Sequence, residues 1–409
     1  MSLDMPRLMK RYGTGCALVA CALLGCSSPD ADQESPADPG AVVVAVPDGG
    51  PAQLFAERVA SLGSVTGAAD STVFGRVRAV ELAPDGSVYV LDSQQARIFM
   101  FSAGGEVIRR IGGRGEGPGE FGRDATGLVL GPDGDLWVAD RSNSRYSRFS
   151  PSGDLLDTYA RSYRASWTVE WDARFDSAGS LWEPASITAS NAEATSLPAL
   201  LRLATGDASG MIATDTVPRP LAPTRQFWEV GYTSTGPGIA EGGRWPIPYQ
   251  PELEGDLSPL QGYWSGVTAE LVFHLQDATG DTVRTLRRDG LDPLPVTRTD
   301  REAALQEVRD RFGERSDVDL SLLPETQPTW TGMFVDDVGR LWVAMNVDSD
   351  VPPRLTRWEV VDPSGSSISS VDLPFGPSPR PSVRGNLVAG VVGTALGAQT
   401  VEVYRIDSL

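Results

Sequence analysis

The sequence lacks most of the residues on which catalysis and cofactor binding usually depend. His274 is the only histidine and Lys10 the only lysine among 409 residues. A multi-histidine metal site is therefore excluded, and so, beyond the extreme N-terminus, are a lysine Schiff base and a P-loop lysine. The 35 basic and 54 acidic side chains give a formal charge of −19. We expect no nucleic-acid partner, because phosphate binding requires clustered cations.

Aromatic residues are also scarce, at 8%, whereas Gly (44) and Pro (31) are plentiful. This balance indicates many short elements joined by turns. The hydrophobic fraction of 41% is ordinary for a globular protein, and the length allows one large or two modest domains.

The three cysteines all lie near the N-terminus, in a segment typical of a targeting sequence. Arg7, Lys10 and Arg11 precede an apolar run over residues 16–24, which is too short to span a bilayer but suits a signal peptide. The run ends in Leu23-Leu24-Gly25-Cys26, which resembles the bacterial lipobox. We therefore predict a signal peptide over residues 1–25 and lipidation of Cys26. A buried strand with an incidental cysteine is the alternative.

Residues 26–52 are predicted to form a disordered tether, since Ser, Pro, Asp, Glu and Gln dominate its first half. Cleavage would leave Cys26 as the only cysteine, so the mature chain would have no disulfide. The expected location is the cell envelope, outside the cytoplasm, with contact to the membrane only through the lipid anchor. Because Ser27 rather than Asp follows the cysteine, we expect the outer rather than the inner membrane in a Gram-negative cell.

The body of the chain repeats one heptapeptide pattern. Four segments align without gaps: Gly86-Ser-Val-Tyr-Val-Leu-Asp92, Gly134-Asp-Leu-Trp-Val-Ala-Asp140, Gly179-Ser-Leu-Trp-Glu-Pro-Ala185 and Gly339-Arg-Leu-Trp-Val-Ala-Met345. Phe74-Gly75-Arg76 also recurs as Phe121-Gly122-Arg123, 47 residues later. Self-similarity at a fixed period is the signature of a repeat architecture.

The second unit shows what one repeat contains. Four strands are predicted over residues 126–130, 136–139, 146–150 and 155–159, and the glycine of Pro132-Asp133-Gly134 allows a tight turn. Four strands in about 40–50 residues are typical of a propeller blade. A β-sandwich with coincidental turns is the alternative, but sandwiches do not repeat one heptapeptide.

The spacing of the repeats predicts six blades, with five or seven left open. Residues 270–277 and 282–287 are expected to end a fourth blade, and residues 329–373 to form a fifth. Strands near 382, 386–392 and 400–406 would form a last blade that lacks its outer strand, which residues 54–62 are expected to supply.

Two insertions interrupt the pattern, at about residues 218–246 and 295–325. The second contains an amphipathic helix, predicted over about 299–313 from the capping-box pattern Thr299-Asp-Arg-Glu302 and from Gly313 at its end. The chain is thus expected to be all-β, a six-bladed β-propeller of four-stranded blades over residues 53–409 with one inserted helix.

The repeats, Asp-Gly-x-Leu-Trp-Val-Ala-Asp followed by a loop ending in Arg and by Phe-Ser-x-x-Gly, resemble NHL-type six-bladed propellers. Gly112-Gly-Arg-Gly-Glu-Gly-Pro-Gly-Glu-Phe121 resembles the glycine-rich inter-blade segment of bacterial extracytoplasmic six-bladed β-propellers. The resemblance covers about residues 74–160 and 330–363. It implies the fold and, for function, a binding or scaffold module rather than a particular activity.

Propeller topology gathers several polar loops on one face, where such folds commonly bind ligands. The candidate ligand-binding residues are Arg76, Arg114, Glu116, Glu120, Arg123, Asn143 and Arg145. The same loops carry Asp92, Arg97, Asp140, Arg141, Asn346, Asp348 and Asp350. Arg76 and Arg123 are predicted to face the axial funnel, where a guanidinium binds carboxylate or phosphate. Alternatively, the arginines pair with Asp92, Asp140 or Glu120 and join adjacent blades.

Several other features are predicted to be structural. The loop over residues 112–119 precedes a strand, whereas a phosphate-binding loop precedes a helix. His274 alternates with the apolar Leu271, Phe273 and Leu275, so it points away from the core. Asp348-Ser-Asp350 is a very weak sign of a Ca²⁺ loop. Trp228, Trp245 and Trp264 either stack on sugar rings or pack an irregular blade.

The expected function is that of a monomeric, lipid-anchored binding module for a glycan, peptide or protein partner, without catalytic residues, metal ligands or a required cofactor. The alternative is an enzyme resembling metal-dependent lactonase or hydrolase propellers, with one divalent cation such as Ca²⁺ on the axis. A structural subunit of an envelope assembly is a third possibility.

Overall fold

The computed structural model describes residues 41–44, 46–47, 50–64, 72–162, 166–167, 171–188, 196–206, 210–230, 243–260, 262–314, 316–347, 355–393 and 397–409. Cys26, the predicted signal peptide and much of the predicted tether lie outside the described residues, as do Asp348 and Asp350. Within those described residues, no helix has both the length and the apolar character needed to cross a membrane.

Short antiparallel strands form six sheets, or blades, in a ring. Three strands precede the repeats: β1 (Ala41–Val44), β2 (Ala52–Gln53) and β3 (Ala56–Leu62). Blade 1 contains β4 (Val77–Leu82), β5 (Val88–Asp92), β6 (Arg97–Phe101) and β7 (Val107–Ile111), and blade 2 contains β8 (Ala125–Leu130), β9 (Leu136–Asp140), β10 (Arg145–Phe149) and β11 (Leu155–Arg161).

Blade 3 contains β12 (Ser166–Trp167), β13 (Arg174–Phe175), β14 (Leu181–Thr188), β15 (Ser196–Thr205) and β16 (Gly210–Pro218). Both β12 and β13 pair with β14, so the innermost position of this blade is divided between two short strands. A separate hairpin, β17 (Phe227–Val230) and β18 (Gly243–Pro246), follows it.

The second half of the chain supplies three further blades. Blade 4 contains β19 (Leu253–Ser258), β20 (Gly262–Val267), β21 (Val272–Gln276) and β22 (Thr282–Arg288). Blade 5 contains β23 (Trp330–Val335), β24 (Leu341–Met345), β25 (Thr356–Val361) and β26 (Ile368–Leu373). Blade 6 contains β27 (Ser382–Arg384), β28 (Leu387–Gly393) and β29 (Gln399–Ile406). The first strands of neighbouring blades contact one another, β4 with β8, β19 with β23 and β27 with β4, so these strands line the axis.

The N-terminal strands complete the outer rim. β3 pairs antiparallel with β29 and becomes the fourth strand of blade 6, which confirms the closure predicted for residues 54–62. Arg58 Nη1 adds an ion pair 3.1 Å from Glu402 Oε1 across this closure. β1 and β2 lie parallel to β22 and β26, as extra outer strands of blades 4 and 5.

The hydrophobic core is divided into six clusters, each between two neighbouring blades. Leu62, Val80 and Val401, for example, pack together between blades 6 and 1. Equivalent clusters fill the five other gaps around the ring. The apolar residues of the repeated heptapeptide supply many of these contacts, since both faces of each sheet are covered. Trp342, for example, is completely buried.

The predicted blade turns are confirmed by backbone geometry. Gly86, Gly134, Gly179 and Gly339 have φ values of 84°, 76°, 76° and 87°. These values lie in the left-handed region, which glycine adopts without steric cost. The repeated glycine therefore encodes the turn that leads into the second strand of four blades.

The two insertions pack together and form a cap. Helix α1 (Arg298–Phe312) ends at the predicted Gly313, but its capping box uses Thr297 and Asp300 rather than the predicted Thr299 and Glu302. A short 3₁₀ helix, Leu320–Leu322, follows. We define the cap as β17, β18, α1 and this 3₁₀ helix. Its own apolar core includes Trp228 and Val308. The chain is a six-bladed β-propeller with one inserted helix.

Candidate functional site

The face at which the innermost strands begin carries the polar loops that were predicted to bind a ligand. We call it the upper face. It holds the loops between second and third strands and the crossovers from one blade to the next, including both segments of the cap. The innermost strands β4, β8 and β13 begin at this face.

Asp92 and Asp140, at the ends of β5 and β9, fix the backbone of the Phe-Gly-Arg motifs. Asp92 Oδ2 accepts a hydrogen bond from Gly75 N at 2.6 Å, and Asp140 Oδ2 accepts one from Gly122 N at 2.9 Å. A Cβ atom on Gly122 would lie 2.4 Å from Ser142 Cβ, so the close approach requires glycine. These carboxylates hold backbone amides rather than the guanidiniums of the following arginines.

Arg76 and Arg123 project from these fixed positions into solvent. Both side chains are exposed. Among the described residues, neither guanidinium has a hydrogen-bond or ion-pair partner. The upper face therefore presents two unpaired cations that follow the same glycine in successive blades.

The glycine-rich crossover is held internally by its own neighbours. Arg145 donates hydrogen bonds to the carbonyls of Glu116, Gly117 and Glu120 at 2.8, 2.7 and 2.8 Å. Asn143 Nδ2 donates to Gly115 O at 3.0 Å. The loop thus turns carbonyl oxygens towards a cation, which is the opposite of the polarity of a phosphate-binding loop.

Most of the remaining predicted loop residues make hydrogen bonds or ion pairs within the fold. Arg114 donates to Gln94 O at 2.7 Å, while the Glu120 carboxylate accepts from Gly117 N at 2.8 Å. Glu116 is exposed. Arg141 lies 3.6 Å from Asp124, and Asn346 donates to Pro328 O at 2.8 Å. Of the predicted set, Arg76 and Arg123 are the exposed arginines that have no partner among the described residues.

A buried charge network crosses the axis below the upper face. Asp256 Oδ2 on β19 lies 3.0 Å from Arg174 Nη2 on β13 and accepts the Val335 backbone N–H at 2.9 Å. Arg380, just before β27, lies 3.7 Å from Asp256 Oδ1 and 3.4 Å from Glu81 Oε1. We call Glu81, Arg174, Asp256 and Arg380 the axial network. It links five of the six blades.

Charge pairing dominates the ionisation of this network. Burial alone would raise the pKa of Asp256, but the guanidiniums of Arg174 and Arg380 outweigh it, so this pKa lies below its ordinary value. Burial likewise opposes the charge on Arg174, whereas Asp256 and Glu81 raise its pKa above the ordinary value. The carboxylate and the guanidinium therefore remain charged despite their burial.

A small cavity, which we call the axial cavity, adjoins the network and is lined by residues of β4, β8 and the segments before β13 and β27. Its walls include Arg78, Glu81, Thr126, Trp171, Asp172 and Arg380. The volume of about 20 Å³ is enough for a water molecule. Among the described residues, Arg78 has no hydrogen-bond or ion-pair partner, and its Nε atom is buried.

Sequence reasoning overlooked this axial group. Glu81 and Asp256 are carboxylates near the ends of innermost strands, each beside an apolar residue, and a charge at such a position was a usable signal. Their pairing with Arg174 and Arg380 was not predictable without the order of blades around the ring.

The other singled-out residues have structural positions. His274 Nδ1 lies 3.0 Å from Thr285 Oγ1 on the neighbouring strand, and Leu271, Phe273 and Leu275 are buried as predicted. Trp228 and Trp264 are 2% and 1% exposed, so these two residues pack rather than stack on a sugar. Trp245 meets Phe312 edge to face within the cap. Among described side chains, no three His, Cys, Asp or Glu residues form a metal-binding group.

Comparisons with known proteins agree with the fold. A family described as "6-bladed beta-propeller" matches residues 67–126. A member of the duf4221 family from Bacteroides vulgatus is similar in structure, with a TM-score of 0.50 at 11% identity over 88% of this chain and 99% of that one. Aldose sugar dehydrogenase from Streptomyces coelicolor, solved with PQQ bound, has a TM-score of 0.41 at 11% identity, with 87% of this chain and 99% of that chain covered. Among curated proteins, none matches the sequence.

Proposed function

We propose that this β-propeller is a non-enzymatic binding module that holds an acidic partner on its upper face. The observation that carries the proposal is the pair Arg76 and Arg123, which are exposed and have no partner among the described residues. The Asp92 and Asp140 carboxylates fix the preceding glycines, so both arginines leave the backbone from defined positions. A rigidly placed guanidinium binds a carboxylate bidentately with little loss of entropy.

The arginines that already have partners within the fold leave few cationic groups with which a ligand could interact. Arg145 is occupied by loop carbonyls, and Arg174 and Arg380 by buried carboxylates. Because the whole chain carries a formal charge of −19, long-range attraction would favour cations. An acidic partner must therefore be recognised by direct contact, and carboxylate groups of a peptide, protein or glycan fit this requirement.

The test compares Arg76→Ala/Arg123→Ala with Arg405→Ala, which removes an exposed arginine from the third strand of blade 6. Triglutamate and oligogalacturonate serve as acidic probes, with triglutamine and maltotriose as neutral counterparts. We expect the double variant to bind an acidic probe at least about tenfold more weakly in calorimetry, since each charge-assisted hydrogen bond contributes about 1.5–3 kcal/mol. Unchanged binding by the double variant would disprove the proposal, and the two acidic probes distinguish a peptide from a glycan source.

We further propose that the propeller is anchored in the cell envelope through a lipid on Cys26, outside the cytoplasm. The proposal is supported by the lipobox-like sequence and by the basic and apolar segments before it. Cys26→Ala should move the protein from the membrane fraction to the soluble fraction, whereas Cys16→Ala, within the signal peptide, should not. Membrane retention of Cys26→Ala would contradict the lipid anchor.

A further inference from the structure

Arg78 occupies a position at which two other blades have threonine. β4, β8 and β23 each contain a β-bulge at the same place, between Val77 and Ala79, Ala125 and Gly127, and Trp330 and Gly332. The extra residues are Arg78, Thr126 and Thr331. Bulges re-aim a side chain and are frequent beside binding sites.

The two threonines are used by the fold. Thr126 Oγ1 donates to Ala139 O at 3.5 Å, and Thr331 Oγ1 donates to Ala344 O at 3.4 Å. Arg78 makes no such hydrogen bond with the described residues and lines the axial cavity instead. The arginine is therefore not required by the bulge.

The acidic groups near Arg78 are engaged elsewhere. Glu81 accepts a hydrogen bond from Ser382 Oγ at 3.2 Å, and its Oε1 lies 3.4 Å from Arg380 Nη2. The charge of Asp172 helps to raise the pKa of Arg174. Arg380 itself has an Nε donor that is buried without a hydrogen-bond partner. Two guanidiniums with unsatisfied N–H donors thus line one small cavity, and a buried donor without a partner is destabilising.

We propose that Arg78 is the specificity-determining residue of the upper face and receives a single carboxylate of the ligand in the axial cavity. This inference rests on the proposed function, in which Arg76 and Arg123 bind further acidic groups outside the cavity. The volume of about 20 Å³ admits only the head of a carboxylate, so the rest of the ligand extends towards the upper face. Because Glu81 and Asp172 lie in the same wall, a monoanion is preferred to a doubly charged phosphate.

The test uses Arg78→Thr, which restores the residue found at this bulge in blades 2 and 5 and should preserve the fold. N-Acetylglycine is the monoanionic probe, N-acetylglycinamide its neutral counterpart and methyl phosphate the dianionic probe, all followed by ligand-observed NMR. We expect saturable binding of N-acetylglycine that weakens at least about tenfold in Arg78→Thr. Arg78→Lys, which keeps the charge and loses the planar fork, should show an intermediate loss.

Three outcomes would overturn the assignment: no saturable binding of N-acetylglycine, equal binding by Arg78→Thr, or tighter binding of methyl phosphate. Because Arg76 and Arg123 lie outside the cavity, adding Arg78→Thr to the Arg76→Ala/Arg123→Ala variant should still weaken N-acetylglycine binding at least about tenfold. A loss confined to triglutamate in that double variant supports the proposed function alone. Failure of the proposed function and failure of the Arg78 assignment are thereby separated.

Discussion

At the scale of single residues, the centre of the propeller depends on charge pairing rather than on apolar packing. Asp256 is 4% exposed and holds Arg174, Arg380 and the Val335 backbone N–H. Removing an ion from water costs several kcal/mol, which is recovered only when every partner is in place. The network therefore makes the relative position of five blades sensitive to one carboxylate.

Asp256→Ala should strongly destabilise the protein. It leaves Arg174 and Arg380 buried without their shared carboxylate, and breaking a buried pair costs about 3–5 kcal/mol. Urea denaturation measures the loss. Asp154→Ala is the matched control, because Asp154 makes an exposed ion pair with Arg109 and exposed pairs contribute little to stability. Equal stability of the two variants would contradict this role.

The same carboxylate predicts a pH dependence. The pKa of folded Asp256 lies below its ordinary value, so its contribution is present above the unfolded value of about 3.9 and is lost as pH falls through the folded pKa. Wild-type stability should therefore decline below about pH 4. In Asp256→Ala the decline should be shallower, as measured by urea unfolding at several pH values. Parallel profiles for the two proteins would refute the linkage.

At the scale of elements, the strands and the inserted helix were largely predictable, whereas the packing of the cap was not. The predicted strand over residues 155–159 is found as Leu155–Arg161, and that over 400–406 as Gln399–Ile406. Alternation, turn glycines and the heptapeptide are local signals, so they survive in the sequence. The contact between Trp228 and the loop after α1 joins segments 91 residues apart, and no local pattern records it.

The axial site shows the same limit. Arg76 and Arg123 were identified because a repeated motif contains them, whereas Arg78 differs from the repeat and was overlooked. The bulge that aims Arg78 is visible only in the pairing of β4 with β5. The alignment of Gly86 with Gly134 already places Arg78 against Thr126, but the sequence does not show that both are the extra residues of a bulge.

The cap should unfold separately from the ring. Trp228 is buried in the cap core and donates from Nε1 to Asp319 O at 2.9 Å. Trp228→Ala should cost about 3–5 kcal/mol. Because the cap core is separate from the inter-blade cores, hydrogen exchange should accelerate in 227–230, 243–246 and 298–312 while 77–111 stays protected. Trp358→Ala removes a side chain from the core between blades 5 and 6, so it should instead accelerate hydrogen exchange in the blades. Faster exchange in blade 1 of Trp228→Ala would contradict this separation.

At the scale of the whole molecule, the ring is closed by a strand that is distant in sequence. β3 covers the edge of β29 and contributes Leu62 to the core between blades 6 and 1. β1 and β2 extend blades that already have four strands. The three N-terminal strands are therefore unequal in importance, although all lie on the outer rim.

A truncation series should reveal this inequality. Deletion through residue 49 removes β1 and deletion through 54 removes β2 as well; each should lower the melting temperature modestly, since Val44 is the buried residue of β1 and β2 is exposed. Deletion through 63 also removes β3 and uncovers Val401 and Val403, so the protein should unfold or aggregate. Equal melting of the two longest deletions would show that β3 does not close the ring.

The distance between β3 and its partner also sets an order of events during synthesis. Arg58 and Glu402, which pair across the closure, are 344 residues apart. At a translation rate of about 5–20 residues per second, β29 leaves the ribosome on the order of 20–70 seconds after β3. During that time Leu62 lacks Val401 and Val403, the residues of blade 6 with which it packs. The ring can therefore close only after its last strand has been synthesised.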